Sequence, residues 1–154
     1  MKIISGGQTG ADRAALDAAI ALGLEYGGAV PKGRLTEDGP LETKYTGMIE
    51  LSVPSYPART AKNVRDSDAV LIFTLGRTDR GTALTISLAA QYKKPYLHID
   101  IKNKSETEVL QEVVQWLRSV RPKVLDVAGS RESTSQGIYK KVYSILMNSL
   151  RTRE

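Results

Sequence analysis

The chain contains no cysteine and a single histidine, His98. Without cysteine it cannot form a disulfide, a thiolate metal site or a cysteine nucleophile, and one histidine cannot build a histidine-based zinc site. A metal bound directly by side chains would have to use oxygen ligands. We therefore expect no metal site built from the chain's own residues.

Long apolar runs are also missing, and none approaches the roughly 20 residues that would cross a bilayer. The opening residues, MKIISGG, show no basic leader followed by an apolar segment and a small-residue cleavage site. We therefore expect a cytoplasmic protein without membrane contact. Aromatic residues make up only 6% of the chain and are not interleaved with basic ones, which argues against nucleic acid as a partner.

Basic residues are in excess, with 22 Lys and Arg against 17 Asp and Glu and a formal net charge of +5. This excess favours an anionic partner, although scattered lysines also serve solubility. The length of 154 residues fits a single domain covering residues 1–154.

Short β-branched segments alternate with helical patterns of about a dozen residues. Strands are predicted at Lys2–Ser5, at Tyr26–Val30 and in DAVLIFT, PYLHID and KVLDVAG, with helices between and after them. From Pro31 to Tyr56 the pattern fails, which predicts a long functional or disordered loop. The alternation predicts an α/β fold with three layers and an open parallel sheet of about five strands, in the favoured order 2-1-3-4-5.

A glycine-rich turn, SGGQTGAD, follows the first predicted strand. Glycines at this edge of a sheet let a ligand approach the backbone, and the helix that follows offers free N–H groups to an anion. The alternative is a tight strand-to-helix turn with an acid in its first helical turn. We identify these residues as candidates for binding a phosphate: Ser5, Gly6, Gly7, Gln8, Thr9, Gly10 and Asp12.

Two further turns are predicted at the same edge. GRTDRGTALT brings Gly81 and Thr82 to a helix start after the third strand, beside the first turn if the favoured strand order holds. AGSRESTSQG follows the fifth strand, where Arg131 either holds an anion or lies in a surface loop. The repetition of glycine turns at one edge favours ligand binding over a purely structural turn.

Three charged residues around the long loop complete the candidate set. Arg34 and Asp38 lie within the loop, which is predicted to form a wall or lid of the site. Arg59 lies near a helix start, where its guanidinium either forks onto a phosphate or pairs with Asp66 or Asp68.

The glycine turns and their flanking segments resemble those of a known family. SGGQTGADRAALDAAI, GGAVPKGRLTEDGPL, YPARTAKNVRDSDAVLIFT, GTALT and VAGSRES…GIY are similar, in this order, to the molybdenum carrier family, the circularly permuted YpsA-type branch of the SLOG superfamily. The resemblance covers nearly the whole chain. It implies a Rossmann-like fold and a homo-oligomer that binds a phosphate-bearing ligand, with molybdenum cofactor as a candidate cargo or a nucleotide derivative as another ligand.

The superfamily also includes enzymes that resemble lonely-guy phosphoribohydrolases, which release a base from a nucleoside monophosphate. Their P-G-G-x-G-T-x-x-E motif, aligned on Gly81 and Thr82, places Thr85 where its glutamate would stand. Threonine cannot act as a carboxylate base, which weakens this alternative unless Asp12, Asp38 or Asp79 substitutes. An interaction module with a basic surface is a third, weaker hypothesis, and the catalytic residues, if any, stay unassigned.

Overall fold

The computed structural model describes residues 1–151, which form five helices, six strands of one sheet and a small separate hairpin. The strands are β1 Lys2–Ile4, β2 Glu25–Val30, β3 Leu35–Thr36, β4 Gly39–Pro40, β5 Met48–Glu50, β6 Ala69–Thr74, β7 Tyr96–Asp100 and β8 Val124–Gly129. The helices are α1 Ala11–Ala21, α2 Tyr56–Asp66, α3 Arg80–Gln91, α4 Glu106–Val120 and α5 Ile138–Arg151. None of these helices is long and apolar enough to span a bilayer.

All neighbouring strands of the main sheet are parallel, and their order is β5-β2-β1-β8-β6-β7. The predicted α/β class is confirmed, but the favoured order 2-1-3-4-5 is wrong. The last strand, β8, inserts between β1 and β6, so the first and third predicted strands are not neighbours. Because β8 pairs with both, the turn after it is central to the carboxyl edge of the sheet.

Helices cover both faces of the sheet. Helices α1, α4 and α5 pack together on one face, and α2 and α3 pack together on the other. Side chains of a strand alternate between the faces. In β6, Leu71 and Phe73 join the core under α1, α4 and α5, whereas Val70 and Ile72 join the core under α2 and α3.

The same alternation decides the positions of side chains on β8. Leu125 and Val127 are fully buried in the core under α1, α4 and α5. Asp126 and Ala128 therefore face the α2 and α3 side. The alternation therefore places the carboxyl group of Asp126 on the face of the sheet that α2 and α3 cover.

Three helices begin at residues whose side chains cap them. The Ser55 hydroxyl accepts a hydrogen bond from Ala58 N, the Asp79 carboxylate from Thr82 N and the Ser105 hydroxyl from Glu108 N, at 2.8 to 3.1 Å. Such caps satisfy N–H groups that have no intrahelical partner. The serine that opens SETEVLQEVVQWLRSV predicts such a cap, and the structure confirms it at Ser105.

The segment from residue 31 to residue 55 is ordered rather than structureless. It contains a short helical turn at Lys32–Arg34, the β3–β4 hairpin and β5, which adds an edge strand beside β2. Its Leu41 and Tyr45 are buried against Leu16 and Val30. These apolar anchors were not apparent from a segment rich in proline, glycine and charge.

Candidate ligand-binding site

A cavity of about 260 Å³ lies at the carboxyl edge of the sheet, on the face covered by α2 and α3. Its wall combines charged, polar and apolar groups from four segments of the chain. The lining residues are Gly6, Gln8, Asp12, Tyr56, Pro57, Arg59, Thr60, Asn63, Asp79, Arg80, Gly81, Thr82, Leu84, Thr85, Asp126, Ala128, Gly129 and Arg131.

The backbone N–H groups of the first glycine turn are largely engaged within the protein. Gly7 N donates to Ser5 Oγ, Gln8 N to a carboxylate oxygen of Asp12, and Thr9 N to Gln8 Oε1, at 3.1 to 3.3 Å. The first helical N–H, that of Ala11, donates to a carbonyl oxygen of the turn after β8. The expected phosphate cradle therefore has few free donors, and its role stays a prediction.

The glycines of this turn are explained by close contacts with other parts of the chain. A Cβ on Gly6 would lie 2.2 Å from Nη1 of Arg59. Gly10 has φ of 81°, and a Cβ there would lie 2.3 Å from the carbonyl oxygen of Ser130. The approach to backbone excludes any larger residue at Gly10, whereas a Cβ at Gly6 would force the Arg59 side chain to move.

Arg59 is almost completely buried and holds the first turn to α2. Its Nη1 donates to Gly6 O at 2.8 Å and lies 3.7 Å from a carboxylate oxygen of Asp12. Its guanidinium stacks over Tyr56 at 5.3 Å from the ring centroid. The alternative pairing of Arg59 with Asp66 or Asp68 is wrong: Asp66 pairs with Lys62, and Asp68 accepts from the backbone N–H groups of Lys123 and Val124 at the start of β8.

Asp12 and Asp126 are two buried acids of the cavity. Burial raises the pKa of Asp12 to about 6, although the Arg59 charge and the hydrogen bond from Gln8 N oppose this shift. Burial and the nearby charge of Asp12 raise the pKa of Asp126 well above its ordinary value, with Arg59 again opposing. Two acids share one buried cation, so this part of the cavity favours at least one neutral carboxyl group near neutral pH.

The start of α3 presents donors that the first turn lacks. Thr82 is 2% exposed, and its hydroxyl has no hydrogen-bond partner among the described residues. Gly81 and Arg80 occupy the exposed first turn of the helix beside it. The Asp79 carboxylate caps this turn through Thr82 N, which leaves the N–H groups of the preceding two positions without an intrahelical partner.

The loop of residues 31–55 closes over the first turn through Glu37. Its carboxylate accepts hydrogen bonds from the hydroxyls of Thr9 and Ser133 and lies 4.0 Å from Nη1 of Arg131. Burial raises the pKa of Glu37, but the hydrogen bonds from Ser133 and Thr9 outweigh it, so the pKa lies below its usual value. Gln8 Oε1 adds a hydrogen bond from Glu37 N at 2.8 Å.

Arg34 and Asp38 lie in this loop but not in the cavity wall. Arg34 donates to the carbonyl oxygens of Leu41, Glu42 and Tyr45 at 2.8 to 3.1 Å and thereby shapes the loop. Asp38 receives two hydrogen bonds from the Arg13 guanidinium, which lower its pKa. Neither residue lines this cavity, and a contact of either with a ligand stays a prediction.

The structure brings together most of the other residues predicted from the sequence. The predicted residues that line the cavity are Gly6, Gln8, Asp12, Arg59, Gly81, Thr82 and Arg131. The remaining four lie in the first turn behind that wall: Ser5, Gly7, Thr9 and Gly10. Their proposed contacts with a ligand stay predictions.

Sequence reasoning missed Asp126. A carboxylic acid inside an otherwise apolar strand, KVLDVAG, was the available signal, because a buried acid is uncommon without a specific role. Asn63, also missed, lines the cavity but has its amide bonded to both backbone groups of Ala29, at 2.7 and 3.2 Å. We therefore assign Asn63 to fixing α2 on β2.

Thr85 occupies the position where the phosphoribohydrolase motif would have a glutamate. It is buried, and its hydroxyl donates to Gly81 O within α3 at 3.0 Å. No carboxyl group stands at that point of the helix. Within residues 1–151, no group of three or more His, Asp or Glu side chains is arranged to hold a metal ion.

The fold and this cavity define a Rossmann-like domain with a polar site at the carboxyl edge of its sheet. The sequence model of the Circularly permutated YpsA SLOG family matches residues 3–150. The chain therefore belongs to this family, and the membership supports a ligand-binding role.

A solved structure shares the fold closely. The crystal structure of a "Putative molybdenum carrier protein" from Syntrophus aciditrophicus SB is 46% identical in sequence, with a TM-score of 0.92, and the match covers 97% of this chain and 94% of that one. A search of curated proteins found no match.

Proposed function

We propose that this protein binds a small molecule carrying a phosphate group, with the phosphate at the start of α3. The observation that carries the proposal is the Thr82 hydroxyl, which is buried, lines the cavity and has no partner among the described residues. A buried hydroxyl without a hydrogen bond is costly, so we infer that a ligand supplies its partner.

The groups around Thr82 suit a phosphate. The first turn of α3 offers N–H groups and a partial positive charge, and Arg80 and Arg131 add two cations at the mouth of the cavity. By contrast, Asp12 and Asp126 would repel an anion bound deeper in the cavity. Asp79 is an acid at the α3 end, but its carboxylate caps the helix, and Arg80, Arg131 and the helix dipole oppose its charge. Electrostatics therefore favours the α3 end for the phosphate.

Molybdenum cofactor is one candidate cargo, and a nucleotide derivative is the other. The name of the solved relative supports the first, and the SLOG membership supports a Rossmann-like site for either. Molybdenum cofactor is a pterin that carries both a phosphate and its metal, so such a cargo would bring the metal with it. Native mass spectrometry of freshly purified protein would identify a co-purifying compound of either class.

Isothermal titration with inorganic pyrophosphate and GMP tests the position of the phosphate. The double variant R80Q/R131Q should weaken both probes about tenfold and reduce the salt dependence of binding, because two cations next to the phosphate are lost. The variant R65Q/R118Q removes the same charge from exposed positions outside the cavity and should bind normally. Equal losses in the two variants, or no binding by the wild type at millimolar concentration, would refute the proposal.

A further inference from the structure

The deep end of the cavity is acidic, in contrast to its mouth. Asp126 is 3% exposed and Asp12 is 7% exposed, and both carboxyl groups line the cavity. We call this pair the acid floor. Asp126 makes no side-chain hydrogen bond within the described part of the chain, so its oxygens are available to a ligand.

Arg59 alone does not satisfy the acid floor. One of its nitrogens already donates to Gly6 O and approaches Asp12, and its buried Nε has no partner among residues 1–151. Because Arg59 is one cation beside two acids, some carboxyl oxygens of Asp12 and Asp126 have no hydrogen-bond donor from the protein. The floor therefore suits a ligand group that donates hydrogen bonds rather than one that carries negative charge.

Part of the cavity wall is apolar. Pro57 of α2, Leu84 of α3 and Ala128 of β8 line this part of the cavity. Such surfaces favour a planar ring over a hydrated sugar. An ionised carboxyl group at the end of an apolar slot can accept two parallel N–H donors in a bidentate manner. Such donors stabilise the ionised form and so oppose the effect of burial on Asp126.

We propose that the acid floor recognises the adjacent N–H donors of a 2-amino lactam ring, the edge that guanine and pterins share, with Asp126 as the principal acceptor. This inference rests on the proposed function, because the phosphate of the same ligand binds at the start of α3. In this arrangement the two acids accept hydrogen bonds from the ring, and the first turn of α3 binds the phosphate.

Two matched pairs of probes test the inference by isothermal titration. GMP and IMP differ only in the 2-amino group, and pterin and lumazine differ at the same position of the other ring system. Wild-type protein should prefer the 2-amino member of at least one pair by about tenfold or more, since hydrogen bonds to a charged acceptor are the strong ones. A preference confined to one pair identifies the ring.

Asp126→Asn keeps the size of the side chain and replaces one acceptor with a donor. This variant should bind both members of each pair about equally, while its affinity for inorganic pyrophosphate stays unchanged. Asp68→Asn makes the same chemical change at the opposite edge of the sheet, where Asp68 precedes β6, and should keep the preference. If D126N fails to fold, D12N tests the same floor with a reduced preference as its expected result.

The outcomes separate this inference from the proposed function. If both members of each pair bind equally, or if D126N keeps the preference for the 2-amino member, the acid floor does not recognise the ring. Ribose 5-phosphate binding as tightly as GMP would overturn the inference too, and would leave the phosphate site intact. Absence of binding by pyrophosphate and every other phosphate probe would overturn both proposals.

Discussion

Two glycine turns lie at the carboxyl edge of the sheet, and they differ in what they leave free. The first, Ser5–Gly10, is buried and bonded to itself, to Glu37 and to the turn after β8. The second, which leads into α3, is exposed at Gly81 and carries the unpartnered hydroxyl of Thr82. Glycines at a strand-to-helix turn thus indicate a close approach of the backbone, and the approaching group can be protein as well as ligand.

The largest expected difference between the turns is in their tolerance of a Cβ. Gly10→Ala should destabilise the protein by at least about 3 kcal/mol, because φ is 81° and the new atom would lie 2.3 Å from Ser130 O. Gly81→Ala should change the free energy of unfolding by less than about 1 kcal/mol, since the nearest atom is Asp79 Oδ1 at 3.7 Å. Urea unfolding of both variants measures the contrast, and equal losses would contradict it.

The acid behind the first turn should make stability depend on pH. The pKa of Asp12 is about 6 in the folded protein against 3.8 for an ordinary aspartate, so between these values the folded state holds a proton that the unfolded chain has released. Asp12 should therefore contribute full stability below pH 3.8 and lose about 3 kcal/mol as the pH rises past 6. Asp12→Asn should remove the Asp12 part of this decline in urea unfolding measured between pH 4 and 7, and leave the part that comes from Asp126, whose pKa is also raised.

Asp38 provides a control of opposite sign. The hydrogen bonds from Arg13 and Thr36 lower the pKa of Asp38, so its contribution to stability should be present above its unfolded pKa and disappear as the pH falls. The difference between wild type and Asp38→Asn should therefore shrink in acid, whereas Asp12→Asn should gain over wild type as the pH rises. Parallel profiles for the two variants would refute the assignment of the buried acid.

The smallest expected effects separate the two threonines. Thr9→Val should cost about 1 to 2 kcal/mol of stability, because its hydroxyl donates to Glu37 and accepts from Glu132 N at 3.1 Å. Thr82→Val should leave stability within about 1 kcal/mol but weaken pyrophosphate about fivefold, since it removes the unpartnered donor. Thermal unfolding and titration of both variants measure the two effects. If Thr9→Val weakens pyrophosphate and Thr82→Val does not, the phosphate binds at the first turn instead.

Much of the fold was predictable because strand and helix patterns are local. The caps at Ser55 and Ser105 and the buried strand β6 follow from short segments of sequence. The strand order was missed, although one signal existed. The segment YLHID carries polar residues at two of its five positions, which is typical of an edge strand, and β7 does lie at the edge.

The candidate site was predictable in part, for the same reason. The glycine turns point to one edge of a parallel sheet whatever the strand order, so the sequence located the edge and seven of the lining residues. Arg34 and Asp38 were assigned to the site because their loop is near it. Their hydrogen bonds to loop carbonyls and to Arg13 depend on how the loop folds back, which no local pattern specifies.

The sequence by itself determined the class of fold, the helix starts and the edge where polar turns meet, since each depends on periodicity or on a few adjacent residues. Only the tertiary structure decided that β8 enters between β1 and β6 and carries Asp126 into the cavity beside Asp12. It also decided that the turn before α3, and not the first glycine turn, keeps hydrogen-bond donors without a partner in the protein. Those outcomes depend on contacts between residues far apart in the chain, whose energies arise only once the chain is packed.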